Sequence, residues 1–474
     1  MNYIQFFAMR PEVSLLAAYL ILFLYDLIST GHHRRMFHPL ACALTAVLVL
    51  LSLSDMRSFT LFGGMYESNA ITAVMKAMLA FGSLLAMLQS HKWLRNEHTF
   101  YKQGEFYVLL LSTLVGMFFM MSARHFLLLF IGIELASLPL ACLVAFDKYR
   151  HNSAEAGIKY ILTSIFASAI MLYGISYLYG TTGSLYFTDM LPAITGTPMQ
   201  IFALAMFFAG LGFKISLVPF HLWTADSYQG APTTVTAYLS VISKGAAVFT
   251  LFVVLIKVFA PMTEQWQTII YITIVASITI ANLMAIKQHF LKRFMAFSSI
   301  SQAGYIMLAV IGGKADGMTA MVFYLLVYMV ANMAIFAVIE SIEWKVRGAV
   351  RCETCNGLYR TNPKLTIVMT LALFSLAGIP PFAGFFSKFF VFMSAFRAGF
   401  WVLVFIALVN TVISLYYYLL IVKAMYMKPN EHPVESFKCD PYIRLELIIC
   451  VVGIILLGIC SFVYTGIDSI SFGL

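Results

Sequence analysis

Four lysines and one glutamate stand inside apolar runs of this sequence. Lys76 lies in AVMKAML, Lys214 in GLGFKISLV, Lys244 in SVISKGAAV and Lys388 in GFFSKFFVF; Glu134 lies in LLLFIGIELASLPL. A charge at mid-membrane costs at least about 2.5–3.5 kcal/mol, and five of them together more than roughly 10 kcal/mol. Such groups must pair, lose their charge or meet water. Acids to pair with are scarce: Asp26 and Glu340 are the other candidates, each near the end of an apolar run. At least two of the lysines are therefore expected to be neutral part of the time, or hydrated. Lysine is the cation that gives up its proton when buried, whereas arginine stays charged. All four mid-membrane bases are lysine and none is arginine. The chemistry to expect is the carriage of protons.

Two prolines sharpen this reading. In GFKISLVPFHLWTADSYQGAP (212–232), Pro219 cannot donate to the carbonyl of Ile215, next to Lys214. Irregular backbone at membrane depth is tolerated only where it lines a cavity or is buried in protein. A broken helix here brings polar backbone, water and an ionisable side chain together, with His221 and Asp226 following. LAGIPPFAGFFSKFF (376–390) repeats the scheme, with Pro380 and Pro381 two turns before Lys388. Two broken, lysine-bearing helices at matching places in two halves are the pattern of inverted-repeat transporters. Ser240, Ser243, Ser298, Ser299, Ser301 and Gln302 gather between these points. They read either as helix-packing hydrogen bonds or as a hydrated wire.

The elements that position these residues follow from composition. The chain has 474 residues, 61% hydrophobic and 11% charged, against about 45–50% and 25% in soluble domains. An all-α polytopic membrane protein is expected, with about 14 transmembrane helices: 13–30, 38–54, 70–90, 106–122, 125–146, 157–180, 200–221, 231–258, 266–286, 293–312, 318–340, 365–396, 400–427 and 442–466. The twelfth is too long for a straight crossing. Nineteen loop lysines and arginines then fall on one side and six on the other. The positive-inside rule puts both termini on the periplasmic side. The net charge of +9 is a topology signal and points to no nucleic acid partner. The first apolar run reads as a span rather than a cleaved signal. Cys352 and Cys355 form a CxxC in a polar loop without the further ligands of a zinc site, so they read as unpaired thiols. No metal site, nucleotide loop or iron–sulfur cysteine set is apparent, and no redox centre is expected in this chain.

GIELASLPLACLVAF, AEAGIKYILTSIFASAI, GLGFKISLVPFHLWTADSYQGAPTTVTAYLSVISKGA, NLMAIKQHFLKRFMAFSSISQAGYIMLA and LAGIPPFAGFFSKFFVF closely resemble the subunit N family of respiratory complex I, the NADH:quinone oxidoreductase, from about residue 105 to 428. The resemblance implies a proton-translocating membrane-arm subunit, part of an enzyme whose NADH, FMN, iron–sulfur and quinone sites lie in partner subunits. It implies two inverted five-helix repeats, 105–258 and 259–428, after a three-helix segment (1–104) and before a C-terminal helix (429–474). Glu134 is similar to the family's glutamate on the fifth span and Lys214 to its partner on the broken seventh. Lys244 resembles the connecting lysine on the eighth span, and Lys388 the terminal one on the broken twelfth. Sister subunits commonly carry histidine in the tenth-span segment where this chain has Gln302. The implied partners are the bilayer and the other membrane-arm subunits, sister antiporter-like ones included. The three N-terminal spans imply a bacterial inner membrane. A structural membrane subunit, or a cation/proton antiporter subunit, is the alternative.

Overall fold

The computed structural model describes residues 7–29, 31–430 and 433–471. Each expected span is helical. In chain order the first nine are Arg10–Ile28, Arg34–Ser54, Ala70–Leu94, Phe100–Ser122, Phe126–Val144, His151–Thr182, Pro198–Ile215, Thr233–Lys257 and Ala260–Ile286. The eleventh is Ala315–Val346, the thirteenth Trp401–Met427 and the fourteenth Pro441–Ile459. These are the 12 helices, among the described residues, long and apolar enough to cross a membrane. The other two expected spans differ for physical reasons. The tenth, Leu291–Val310, has the length, but Lys292, Arg293, three serines and Gln302 dilute its apolar character. The twelfth is two helices, Pro363–Ala377 and Ala383–Arg397.

The chain divides into two compact units. One runs to Ile215 and resumes over Ile242–Ile269; the other holds Ser216–Val241 and Ile270–Ser469. The crossings after Ile215 and after Val241 fall at irregular backbone. The seventh span stops at Ile215. Ser216 takes a left-handed φ of 67° and Val218–Pro219 is cis; helix resumes at Leu222–Gly230. A serine in that conformation costs on the order of 1–3 kcal/mol, and such strain persists only where its surroundings hold it. The eighth span contains a π-helical turn at Leu239–Ser243, directly before Lys244. No proline or glycine marks that turn in the sequence.

In the first unit the fourth and fifth spans meet backbone to backbone. A Cβ on Gly116 would lie 2.3 Å from Ala136 N, and one on Gly132 would lie 2.7 Å from Met120 N. This contact fixes the helix that carries Glu134. Before it, Phe59–Leu61 and Tyr66–Ser68 form a short antiparallel hairpin, and Asn69 caps the third span by accepting from Thr72 N at 2.9 Å. Few residues of the first span are buried and most of the third span's are.

In the second unit nearly every residue of the eleventh span is buried, and it forms the core. The two halves of the twelfth join through Gly378, at a φ of 84°, and a cis Pro380–Pro381 bond. Gly384 then lies on the Ser375 carbonyl, which a Cβ would approach to 1.6 Å. The freed N–H of Val218 donates to Ser277 Oγ at 2.9 Å, so the seventh-span break is satisfied by the ninth span.

Gly132→Val should separate the fourth and fifth spans, because the added carbons meet backbone that cannot yield. The expected loss is at least about 1–3 kcal/mol, read as a lower unfolding midpoint of the detergent-solubilised chain. A wild-type midpoint would show that this close approach is dispensable.

Candidate functional site

Lys214 is 8% exposed and sits one residue before the seventh-span helix ends. Its Nζ donates to Ser137 Oγ and, at 2.9 Å, to Ser164 Oγ. The Tyr160 and Phe213 rings lie 5.8 and 5.7 Å away. No carboxylate pairs directly with it among the described residues. Glu134 lies within electrostatic reach, three residues before Ser137 on the fifth span, and its Oε1 is buried without a hydrogen-bond partner among the described residues. The glutamate and the lysine are thus bridged by hydroxyls rather than closed into an ion pair. Lys244 is 1% exposed at the head of the helix that follows the π turn.

Lys388 is buried in the second half of the twelfth span. Its Nζ donates to Ala377 O at 3.1 Å, the last residue of the first half. Carbonyls at a helix end lack helical partners and carry the negative end of the dipole. The break therefore supplies the lysine with a counter-charge made of backbone. The Tyr305 ring lies 4.9 Å away, and no carboxylate pairs with Lys388 among the described residues. Gln302, Tyr324, Tyr328, Ser375 and Ser387 line a cavity of about 10 Å³ beside it, roughly the space of one water.

A polar stripe runs along the eleventh span within the second unit. Tyr324, Tyr328, Asn332 and Glu340 recur at multiples of four residues, so successive members neighbour each other along a stripe that winds around the helix by about 40° every four residues; Phe336 interrupts it. Each meets one of the polar residues singled out above, or a neighbour of one. Tyr324 donates to Gln302 Oε1, and Tyr328 to Ser299 Oγ at 3.0 Å. Asn332 donates to Ser240 Oγ at 2.6 Å, and Glu340 accepts from Thr234 Oγ1 at 2.8 Å. Gln302 Nε2 also donates to Leu376 O at 3.3 Å and to Tyr418 at 3.2 Å, while Ser298 bonds Tyr418 at 2.5 Å. The sequence reading saw one side of this network and missed Tyr324, Tyr328 and Asn332; their four-residue spacing was the available signal.

Other expected residues lie elsewhere. Asp226 pairs with Arg293 at 2.8 Å, both partly exposed. His221 is half-buried at the seventh-span break, and Ser243 half-buried in the π turn. Lys76 has an acid that the sequence reading overlooked. Glu12 stands just outside the expected first span, but the helix begins at Arg10 and takes it in. Its Oε1 lies 2.5 Å from Lys76 Nζ, both fully buried, and Tyr66 OH donates to it at 2.8 Å. Asp26 pairs with Arg34 at 3.1 Å. In the loop after the eleventh span, burial pushes the Cys352 thiol up to about 11 and the Cys355 thiol to about 12. Both stay in the unreactive protonated form at neutral pH.

The family model described as "NADH:quinone oxidoreductase/Mrp antiporter, TM" matches residues 123–414. The chain is 61% identical over 456 residues to NADH-quinone oxidoreductase subunit N of Phocaeicola vulgatus, covering 96% of each. It is 36% identical to the subunit N of Paramagnetospirillum magneticum, over 88% of this chain and 86% of that one. A chain of respiratory complex I from Thermus thermophilus with bound aureothin superposes with a TM-score of 0.82 at 32% identity, over 95% and 97% of the two chains. A chain of the Mrp complex from Dietzia sp. DQ12-45-1b shares the fold, with a TM-score of 0.87 at 20% identity over 99% and 97%.

Hydrogen bonds to a charged group contribute about 1.5–3 kcal/mol each. Ser137→Ala with Ser164→Ala should therefore lower the unfolding midpoint strongly. Adding Lys214→Met should restore much of it, because the stranded charge is gone. A double serine variant as stable as wild type would show that these hydroxyls do not hold the charge.

Proposed function

Because the chain belongs to the NADH:quinone oxidoreductase/Mrp antiporter membrane family, as one of its subunit N members, we propose that its buried lysines carry the protons that such a subunit translocates. The observation that carries this reading is the state of Lys214: held by two hydroxyls beside a helix break, with Glu134 near but not paired. A closed ion pair would be a packing device. An open one is a switch. At an effective dielectric near 20, two charges 4 Å apart interact by about 4 kcal/mol, and less when farther apart. Each 1.4 kcal/mol shifts a protonation ratio about tenfold. Glu134's charge holds the Lys214 proton. Withdrawing that charge releases it toward Lys244 on the eighth span and on to Lys388. Ser240, Asn332, Ser299, Tyr328, Gln302 and Tyr324 are the groups that order water along the second half of the route. Ser243 flanks Lys244; His221 and Asp226 stand at the seventh-span break.

The driving energy comes from redox chemistry in partner subunits, where NADH, FMN, iron–sulfur clusters and quinone react. The partners are the other membrane-arm subunits, sister antiporter-like ones among them. Residues 105–258 and 259–428 act as two inverted five-helix repeats. The chain lies in a bacterial inner membrane with both termini periplasmic, as its nineteen-to-six basic asymmetry supports.

The deciding experiment is proton pumping by the assembled complex in proteoliposomes, with NADH oxidation followed in the same vesicles. Lys214→Ala and Glu134→Ala should assemble yet lose most of the coupled pumping. Unchanged pumping and oxidation in both would return the lysine to a packing role. Lys388→Arg should fail as well, because arginine keeps its proton; full activity there would rule out transfer through that side chain.

A further inference from the structure

The last span carries a carboxyl that the lysine axis does not use. Glu446 is 0% exposed, and neither of its oxygens has a hydrogen-bond partner among the described residues. No cation pairs with it there. Atoms of this chain close it off, so neither lipid nor a neighbouring subunit can supply what is missing. A carboxylate in that place would bear the whole cost of leaving water uncompensated.

Helix register identifies its neighbour. The fourteenth span packs along the eleventh. Thr319 Oγ1, at the start of the eleventh, donates at 3.0 Å to Asp468 Oδ1 in Phe462–Ser471, the short helix that follows the fourteenth span. A Cβ on Gly453 would meet Val330 at 3.2 Å. The two helices therefore run antiparallel, and stepping back from Gly453 to Glu446 moves along the eleventh toward Glu340. Glu340 is the acid whose charge reaches Glu446. It is 7% exposed, with Thr234 Oγ1 donating to it at 2.8 Å. Nearby, Glu343 accepts from Thr233 and pairs with Lys292 at 3.4 Å. Of these three carboxyls, Glu343 has a cation and Glu340 a hydroxyl donor among their partners, and Glu446 has neither among the described residues.

We propose that Glu446 is a neutral carboxylic acid that hands its proton to Glu340, so that the two form a proton-loading pair at the head of the polar stripe on the eleventh span. The two carboxyls are not in hydrogen-bond contact, so a bridging water carries the step: it takes the proton as the O–H bond of Glu446 breaks and gives one of its own to a Glu340 oxygen. Glu446, now a carboxylate, takes its next proton from water that enters from the aqueous end of its helix; Pro441, five residues back, lies about 8 Å away along the axis. The stripe then leads through Asn332, Tyr328 and Tyr324 to the cavity beside Lys388. The destination rests on the lysine-axis reading; the neutral acid does not.

Infrared difference spectra of the assembled complex test this directly. Wild type should show a protonated-carboxyl carbonyl band that moves in deuterium oxide and is missing in Glu446→Gln. In Glu340→Gln, which removes the neighbouring charge, that band should shift. Glutamine matches the neutral acid in shape, so Glu446→Gln should assemble and oxidise NADH, with at least a severalfold drop in protons pumped per NADH. A spectrum unchanged by Glu446→Gln would overturn the assignment of a neutral acid, and a band unmoved by Glu340→Gln would overturn the pairing. Wild-type pumping in Glu446→Gln would overturn the transfer. If Lys214→Ala pumped normally while the Glu446 band behaved as expected, the lysine axis would fall and the acid pair would stand.

Discussion

A cation in hydrocarbon has to be answered by the protein around it, and this chain answers Lys76, Lys214 and Lys388 in three different ways. Lys76 receives a carboxylate, Glu12, with Tyr66 bridging the two. Lys214 receives two serine hydroxyls with an acid held back. Lys388 receives the carbonyl end of a helix that stops for it. The first arrangement is closed, and its lysine is the one the resemblance leaves without a role. The other two leave the charge only partly compensated, and both occur beside interrupted spans.

The interruptions follow from the same constraint. A continuous helix satisfies all its backbone groups internally and has nothing left to offer a side chain. Stopping at Ile215 and at Ala377 frees backbone polarity at membrane depth, and packing must then prevent the loss of those groups. Ser277 takes the N–H of Val218; Gly384, by lacking a Cβ, lets the second half of the twelfth span close over Ser375. The strained Ser216 is tolerated in the same setting. The eleventh span, almost wholly buried, is what the second unit builds on, and it can hold tyrosines and an asparagine inside because each finds a partner there.

The buried acids divide in the same manner. Glu12 and Glu343 each have a cation, whereas Glu134 and Glu446 pair with none among the described residues. In a chain whose task is to move protons, a group with partial compensation can exist in two protonation states at modest cost, and a fully compensated one cannot.

Much of this was legible in the residues alone. Span number, the breaks at Pro219 and at Pro380–Pro381, and the four lysines follow from apolar run length, from proline's missing donor and from the cost of charge in lipid; these are local properties of the chain. Glu12 escaped because an acid beside Pro11 reads as a flank until the helix start is known. The π turn at Leu239–Ser243 escaped because no residue there forces it. Which hydroxyls meet Lys214, which carbonyl meets Lys388, and that Tyr328 and Asn332 face Ser299 and Ser240, depended on helix register and on glycine contacts such as Gly116 with the fifth span. Those are relations between segments up to 92 residues apart. Sequence spacing sets which face of a helix a residue occupies, but only the packed helices decide what that face touches.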